Sequence, residues 1–289
     1  MDIVVDISEI ADAIDKDLGY KIETSSILLK NDKSQIIKLS NELCIKICIG
    51  NKSLLFPEIL KRNEYLCVPL RAYTSPSQKC IGYTQRFLNL YNIQNLIKNK
   101  ITLPEKKAGQ LIYYILKGLD TLHRNGYLHC DLHPENIMLH SKANKLIAVI
   151  VDFDEMKLAG PDTRACYRYS GYNAPEIVLY DSIYDDKAEI FPVGVVLWEL
   201  LFGECQFAGY SFFGKYINES WEEYKKNKEQ IEQKTCVAIK NIANYMYYLK
   251  RLSSECAESL WSLINPNKLE RFTAHDALAL SFFKQFDKQ

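Results

Sequence analysis

The sequence predicts a two-lobed α+β fold, with a small, mostly β lobe followed by a larger helical lobe. Three observations predict it. Short apolar runs separated by turn clusters crowd residues 20–80, and after residue 86 the texture changes to long helical periodicities. At 289 residues, the chain can bury one large core or two lobes around a cleft. Hydrophobic residues make up 47% and charged residues 25%, the balance of an ordinary globular protein. The 36 Lys and Arg are matched by 36 Asp and Glu, so no global field favours nucleic acid or an anionic membrane.

Taken in order, residues 7–18 set Ile7, Ile10, Ala11, Ile14 and Leu18 at helical spacing with acids between them. That pattern predicts an amphipathic helix packed on its own domain, an acidic extension over 1–18. Strands are expected in ILL (27–29), QIIKL (35–39), LCIKICI (43–49) and YLCVPL (65–70), separated by clusters such as NDKS (31–34) and SNE (40–42). A helical segment is expected around PEILKRNEY (57–65), with Pro57 suited to its first turn. The small lobe should cover 19–85 and the large one 86–289, with the junction near 82–88.

In the large lobe, AGQLIYYILKGLDTLHRNGY (108–127) carries Leu111, Ile115, Leu119 and Leu122 on one stripe, with Gly126 as a stop. VGVVLWELLFG (193–203), ESWEEYKKNKEQIEQK (219–234) and AESLWSLI (257–264) come after it. The run at 193–203 is too short to span a bilayer. Nine Cys scattered singly suggest reduced thiols, and the acidic N-terminus lacks the pattern of a signal peptide. The expectation is a soluble, cytoplasmic protein with no membrane span and no nucleic-acid partner.

Chemistry concentrates in HCDLHPEN (129–136) and in the strand-like run after it. Sixteen residues beyond Asn136 comes Asp152, directly after the apolar run LIAVIV (146–151). A strand ending in an acid, beside a loop that offers Asp and Asn, supplies the hard oxygen ligands that Mg²⁺ with nucleotide phosphates requires. Asp131 is then left to accept the proton of an attacking hydroxyl.

These residues resemble the eukaryotic-type protein kinase family, and the likeness runs from about Tyr20 to Phe286. Residues 129–136 are similar to the family's H-R-D-L-K-P-E-N loop, Asp152-Phe153-Asp154 to D-F-G, and Ala174-Pro175-Glu176 to A-P-E. EIFPVGVVLWEL (189–200) and NPNKLERFTAHDALALSFF (265–283) resemble the following core helix and the closing segment, where Arg271 would pair with Glu176. The resemblance implies transfer of the ATP γ-phosphate to a protein hydroxyl, of the Ser/Thr type. It makes Asp131 the catalytic carboxylate and Asn136 and Asp152 the Mg²⁺ ligands. LCIKI (43–47) resembles V-A-I-K, so Lys46 would hold the α/β-phosphates, with Glu58 or, later in the same segment, Glu64 as its ion-pair partner.

Several positions depart from the family pattern. No G-x-G-x-x-G precedes Lys46. The turn that would cover the phosphates is Asn31-Asp32-Lys33-Ser34, where Lys33 either supplies charge or is an exposed hairpin lysine. Cys130 stands for the Arg that binds an activation-loop phosphate, which implies that loop phosphorylation is not the main switch. His133 stands for the Lys that contacts the transferring phosphate; it either donates one hydrogen bond there or faces solvent. Asp154 replaces the Gly of D-F-G and should restrict flipping of the Asp152 segment. Glu189 replaces the Asp that caps the catalytic loop, and Pro192 is expected near the first turn of that helix. Tyr169 occupies a position where Ser/Thr kinases have Thr, and Tyr167, Tyr169 and Thr163 are candidate modification sites. Three readings stay open: a protein kinase acting on a protein substrate, a scaffold that keeps the fold without the chemistry, and a phosphotransferase acting on a small molecule or lipid. A regulatory protein partner could use residues 7–18 or 219–250, although both read as ordinary helices.

Overall fold

The structure is a computed structural model that describes residues 8–21, 27–30, 34–49, 57–74, 80–164, 172–180, 183–203 and 251–287. The candidate phosphate turn at Asn31, Asp32 and Lys33, the tyrosines Tyr167 and Tyr169, and the segment 219–250 lie outside the described residues.

The first lobe is a five-stranded antiparallel sheet in the order β1-β2-β3-β5-β4, formed by Ile27–Lys30, Ser34–Lys38, Leu43–Ile49, Arg71–Thr74 (β4) and Cys80–Arg86 (β5). Alternation along β3 sends Ile45 and Ile47 to one face and Cys44, Lys46 and Cys48 to the other. Helix α1 (Ser8–Leu18) lies on the Ile45/Ile47 face. Its Ile10 and Ile14 are fully buried against Ile37, Ile45, Ile47 and Tyr73. Gly82, paired with Ile47, permits this approach, since a Cβ there would come within 3.2 Å of Ile10. Asp17 fixes the far end of the helix by accepting hydrogen bonds from Arg71 and from the Tyr73 hydroxyl.

The expected strand at 65–70 is not formed. Pro69 removes an amide donor, and the run crosses between the lobes instead. Leu66 makes a single parallel bridge to Ile150, Cys67 N–H donates to the Ile150 carbonyl at 2.8 Å, and Ile150 N–H donates to Tyr65 O at 2.9 Å. The two strands β4 and β5 lie where no strand was expected, because their mixed polar sequences lack a continuous apolar run.

In the second lobe, α3 (Glu105–Arg124) follows α2 (Ile93–Lys98) and buries the expected stripe of Leu111, Ile115, Leu119 and Leu122. Helix α4 (Pro175–Tyr180) precedes α5 (Asp186–Phe202), which is capped by the Asp185 side chain and buried almost throughout. Pro192 falls in the second turn of α5 rather than the first. Its missing N–H therefore leaves the Ala188 carbonyl without its helical partner. α5 packs on α6 (Ser254–Ile264), and α7 (Ala274–Leu278) and α8 (Ser281–Lys284) close the lobe. Two small ribbons sit at the top of this lobe: β6 (Tyr127–Leu128) with β9 (Lys157–Leu158), and β7 (Ile137–Lys142) with β8 (Lys145–Ile150). Among the described residues, no helix is long and apolar enough to cross a membrane.

Candidate active site

Pairing of β6 with β9 brings residues 129–136 alongside residues 152–156. Cys130 adopts φ 64°, a left-handed conformation that a non-glycine residue holds only when its surroundings enforce it. The enforcing group is Glu189 of α5, wholly buried, whose Oε1 accepts the Cys130 N–H at 2.6 Å while Oε2 meets His123 Nε2 at 2.8 Å. Glu189 thus caps the loop backbone as the longer acid was expected to. Pro134 opens the 3₁₀ turn Pro134–Asn136, where its missing N–H leaves no helical bond unmade. Asn136 Nδ2 donates to the Asp131 carbonyl at 2.9 Å and lies 3.5 Å from Asp131 Oδ2, so its amide oxygen stays out of that bond. Val151 N–H donates to the Asn136 carbonyl at 2.9 Å, tying the loop to the strand that delivers Asp152.

Asp152 is also left-handed, at φ 63°. Phe153 is buried and packs edge-on against His129, with ring centroids 4.9 Å apart, and His129 Nε2 meets the Val151 carbonyl at 2.9 Å. The aromatic contact and the imidazole bond fix the direction in which the Asp152 carboxylate leaves the strand. That carboxylate reaches across the cleft to Lys46 of β3: Nζ to Oδ1 is 2.7 Å. Lys46 also lies 3.1 Å from Asp154 Oδ2. Burial works against the Lys46 ammonium, but the Asp152 and Asp154 carboxylates outweigh it and hold the amine above its ordinary range.

The partnership expected for Lys46 within the small lobe is overturned. The predicted helix at 57–65 is one 3₁₀ turn, Glu58–Arg62, and Glu58 points to solvent with its side chain 83% exposed. It binds Lys61 of its own turn, and Glu64 binds Lys142 at 2.8 Å, so neither acid serves Lys46. One turn cannot carry an acid far enough inward once Pro57 starts it and Leu60 is buried on its inner side. Ser34, the described member of the expected phosphate turn, is buried at the start of β2, opposite Cys48.

His133 is 3% exposed, which removes the solvent-facing alternative. Its Nε2 lies 3.8 Å from Asp131 Oδ2, too long for a hydrogen bond. Burial pushes the imidazole down to about 4, with Glu135 pulling the other way, which favours the neutral ring at pH 7. Thr163 is also buried, and its hydroxyl donates to the Leu158 carbonyl at 3.1 Å, a poor position for modification. Further out, Glu176 takes two bonds from the Arg271 guanidinium, 2.7 and 2.9 Å, with Arg271 fully buried over the Phe191 ring. That pair, expected from the sequence, clamps the end of the segment that begins at Asp152.

A Mg²⁺ ion fits the chemistry of the donor set. The Asn136 amide oxygen, left out of the bond to Asp131, and the Asp152 carboxylate are hard oxygen donors, and such sites use one or two protein ligands beside phosphate and water. Two residues that sequence reasoning did not place here are Asp154, as a partner of Lys46, and Tyr83, whose hydroxyl donates to Asp154 Oδ1 at 2.6 Å. The available signal was the second acid two residues after Asp152; nothing local marked Tyr83.

A family model described as the protein kinase domain matches residues 72–283. Among curated proteins, mitogen-activated protein kinase 12 of Danio rerio is 26% identical over 197 residues, covering 64% of this chain and 52% of that protein. The MAPK/MAK/MRK overlapping kinase of Homo sapiens is 28% identical over 212 residues, covering 67% and 48%. Dual specificity tyrosine-phosphorylation-regulated kinase 3 of Homo sapiens is 32% identical over 141 residues, covering 48% and 23%. The chain spans about half or less of the length of these relatives.

Proposed function

Because this chain belongs to the protein kinase domain family, we propose that it is a working kinase that moves the ATP γ-phosphate to a serine or threonine hydroxyl of a protein substrate. One observation carries the reading: Lys46 of the small lobe bonds Asp152 of the large lobe, and Asn136, whose carbonyl takes the N–H of Val151 next to Asp152, donates to Asp131. The Ser/Thr assignment rests on the likeness of residues 129–136 to the family's H-R-D-L-K-P-E-N loop.

In this reading Lys46 binds the α/β-phosphates, and Asp131 accepts the proton of the attacking hydroxyl while holding it in line. Asn136 and Asp152 would hold Mg²⁺, which when bound neutralises charge on the nucleotide phosphates. His133, neutral and buried beside Asp131, supplies one N–H to a phosphoryl oxygen rather than a full charge. Activation-loop phosphorylation is not the main switch, since the Cys130 side chain is buried and offers no cation to a phosphate.

A second reading, a scaffold that binds without transferring, is favoured by one observation: a buried imidazole, His133, stands where the family places a Lys. Incubating the chain with radiolabelled ATP, Mg²⁺, and casein or itself as acceptor separates the two. Wild type is expected to incorporate label, and Asp152→Ala to lose about a hundredfold or more. Phosphatase pretreatment should leave the rate unchanged. Nucleotide binding without incorporation would establish the scaffold.

A further inference from the structure

Resting on the proposal that the cleft binds nucleotide, we infer that Asp154 is the positioning residue for Lys46, doing from the large lobe what a small-lobe helix carboxylate would otherwise do. Lys46 sits on the inner face of β3 and, among the described residues, has two carboxylates within ion-pair distance, Asp152 at 2.7 Å and Asp154 at 3.1 Å. Asp152 is the one whose oxygens the Mg²⁺ site needs. Asp154 can therefore keep the ammonium in place when Asp152 turns to other ligands.

The geometry around Asp154 is built for that task. Tyr83, the direct cross-strand partner of Lys46, donates its hydroxyl to Asp154 Oδ1 at 2.6 Å. Cys48, two residues along β3 on the same face, offers its thiol to Oδ2 at 3.5 Å. Three side chains of the small-lobe sheet thus converge on one carboxylate, whose own side chain is only 9% exposed. The acids expected to serve Lys46 are both engaged elsewhere, Glu58 with Lys61 and Glu64 with Lys142. A glycine at 154 would take the acceptor from the Tyr83 hydroxyl and, among the described residues, leave Asp152 as the carboxylate at Lys46. A further consequence is that this ion pair joins β3 of the small lobe to the segment that follows β8 of the large lobe.

The test is nucleotide affinity, read by displacement of a fluorescent ATP analogue in Mg²⁺ buffer, with ATP, ADP and adenosine as competitors. Asp154→Asn is expected to weaken ATP and ADP about tenfold or more while leaving adenosine unchanged, because Lys46 meets phosphate and not the base. Tyr83→Phe should act in the same direction by about threefold, and Glu58→Ala should change nothing. Equal loss for adenosine and ATP would mark a general structural defect and overturn the inference. So would wild-type ATP affinity in Asp154→Asn, or a phosphate-selective loss in Glu58→Ala. If Asp154→Asn does not fold, Tyr83→Phe decides, since it leaves the carboxylate in place and frees it from β5; unchanged ATP affinity there refutes the role. Should wild type bind ATP with this Asp154 dependence yet transfer no phosphate, the kinase reading falls and the positioning role stands. If wild type binds neither ATP nor ADP, both fall.

Discussion

Glu199 is a carboxyl in the middle of α5, 4% exposed, and among the described residues its oxygens accept from the Tyr172 hydroxyl at 3.1 and 3.3 Å. Burial raises its pKa from an ordinary 4.5 to about 7, the Tyr172 bond opposing only in part. A carboxyl raised in this way binds its proton more tightly in the folded chain than in the unfolded one. The stability it contributes is therefore full below pH 4.5 and is lost as the pH rises through about 7. A shift of that size corresponds to about 3 kcal/mol. Glu199→Gln keeps an acceptor for Tyr172 and removes the titration. Thermal melts should show wild type losing several degrees between pH 5 and pH 8 and the variant losing much less. Equal losses in both would mean that Glu199 stays charged and solvated throughout. At this same scale, Lys46, Asp131, Asn136 and Asp152 were legible in the sequence because each follows a local signal: a strand run, a Pro-bearing loop, an acid ending an apolar strand. Asp154 with Tyr83 was not legible, since the bond joins residues 71 positions apart and neither belongs to a local pattern. Glu58 shows the opposite error. It was placed on an expected helix at 57–65, but the residues of that segment do not say how many helical turns it will form.

Among elements, α1 is the one whose sequence and structure agree most closely. The i, i+4 spacing of Ile10 and Ile14 foretold a buried stripe, and both side chains are fully buried on the outer face of the small-lobe sheet. The helices of the large lobe share one extensive core, whereas this face has Ile10 and Ile14 at its centre, Leu18 and Tyr20 packed beside them, and the Asp17 bonds to Arg71 and Tyr73. Removing the Ile14 side chain to Cβ deletes contacts at the centre of this cluster. Ile14→Ala is expected to destabilise the small lobe by about 2–4 kcal/mol. Chemical denaturation followed by near-ultraviolet tyrosine signals would measure it, through Tyr73. A change below about 0.5 kcal/mol would show that α1 rests on the sheet without stabilising it. The strand at 65–70 was misread for a reason that belongs to this scale. Leu66, Cys67 and Val68 are buried as a strand's residues would be, but they are buried between lobes, and burial alone does not distinguish a sheet from a crossing.

At the scale of the molecule, that crossing is one tie between the lobes, and the pair of carboxylates at Lys46 is another. The crossing depends on Gly118 of α3. A Cβ there would come within 3.0 Å of Leu66 Cδ2 and 3.2 Å of the Tyr65 carbonyl, the same carbonyl that accepts the Ile150 amide. The first neighbour is the end of a flexible side chain and can yield, but the second is backbone and moves only with the ladder it belongs to. Gly118→Val should therefore push residues 65–67 away from β8 while leaving the sheet of the small lobe and the helices of the large lobe intact. Hydrogen exchange would read this locally. The amides of Cys67 and Ile150 are expected to exchange about tenfold faster or more, and those of β2 and β3 to stay as in wild type. Because the lobes share the cleft, weaker ATP binding should accompany the faster exchange, with adenosine and ATP affected alike. That symmetry separates a loosened molecule from a misplaced Lys46. Unchanged exchange at Cys67 in a folded Gly118→Val protein would show that α3 shifts to make room, and that the crossing does not depend on Gly118.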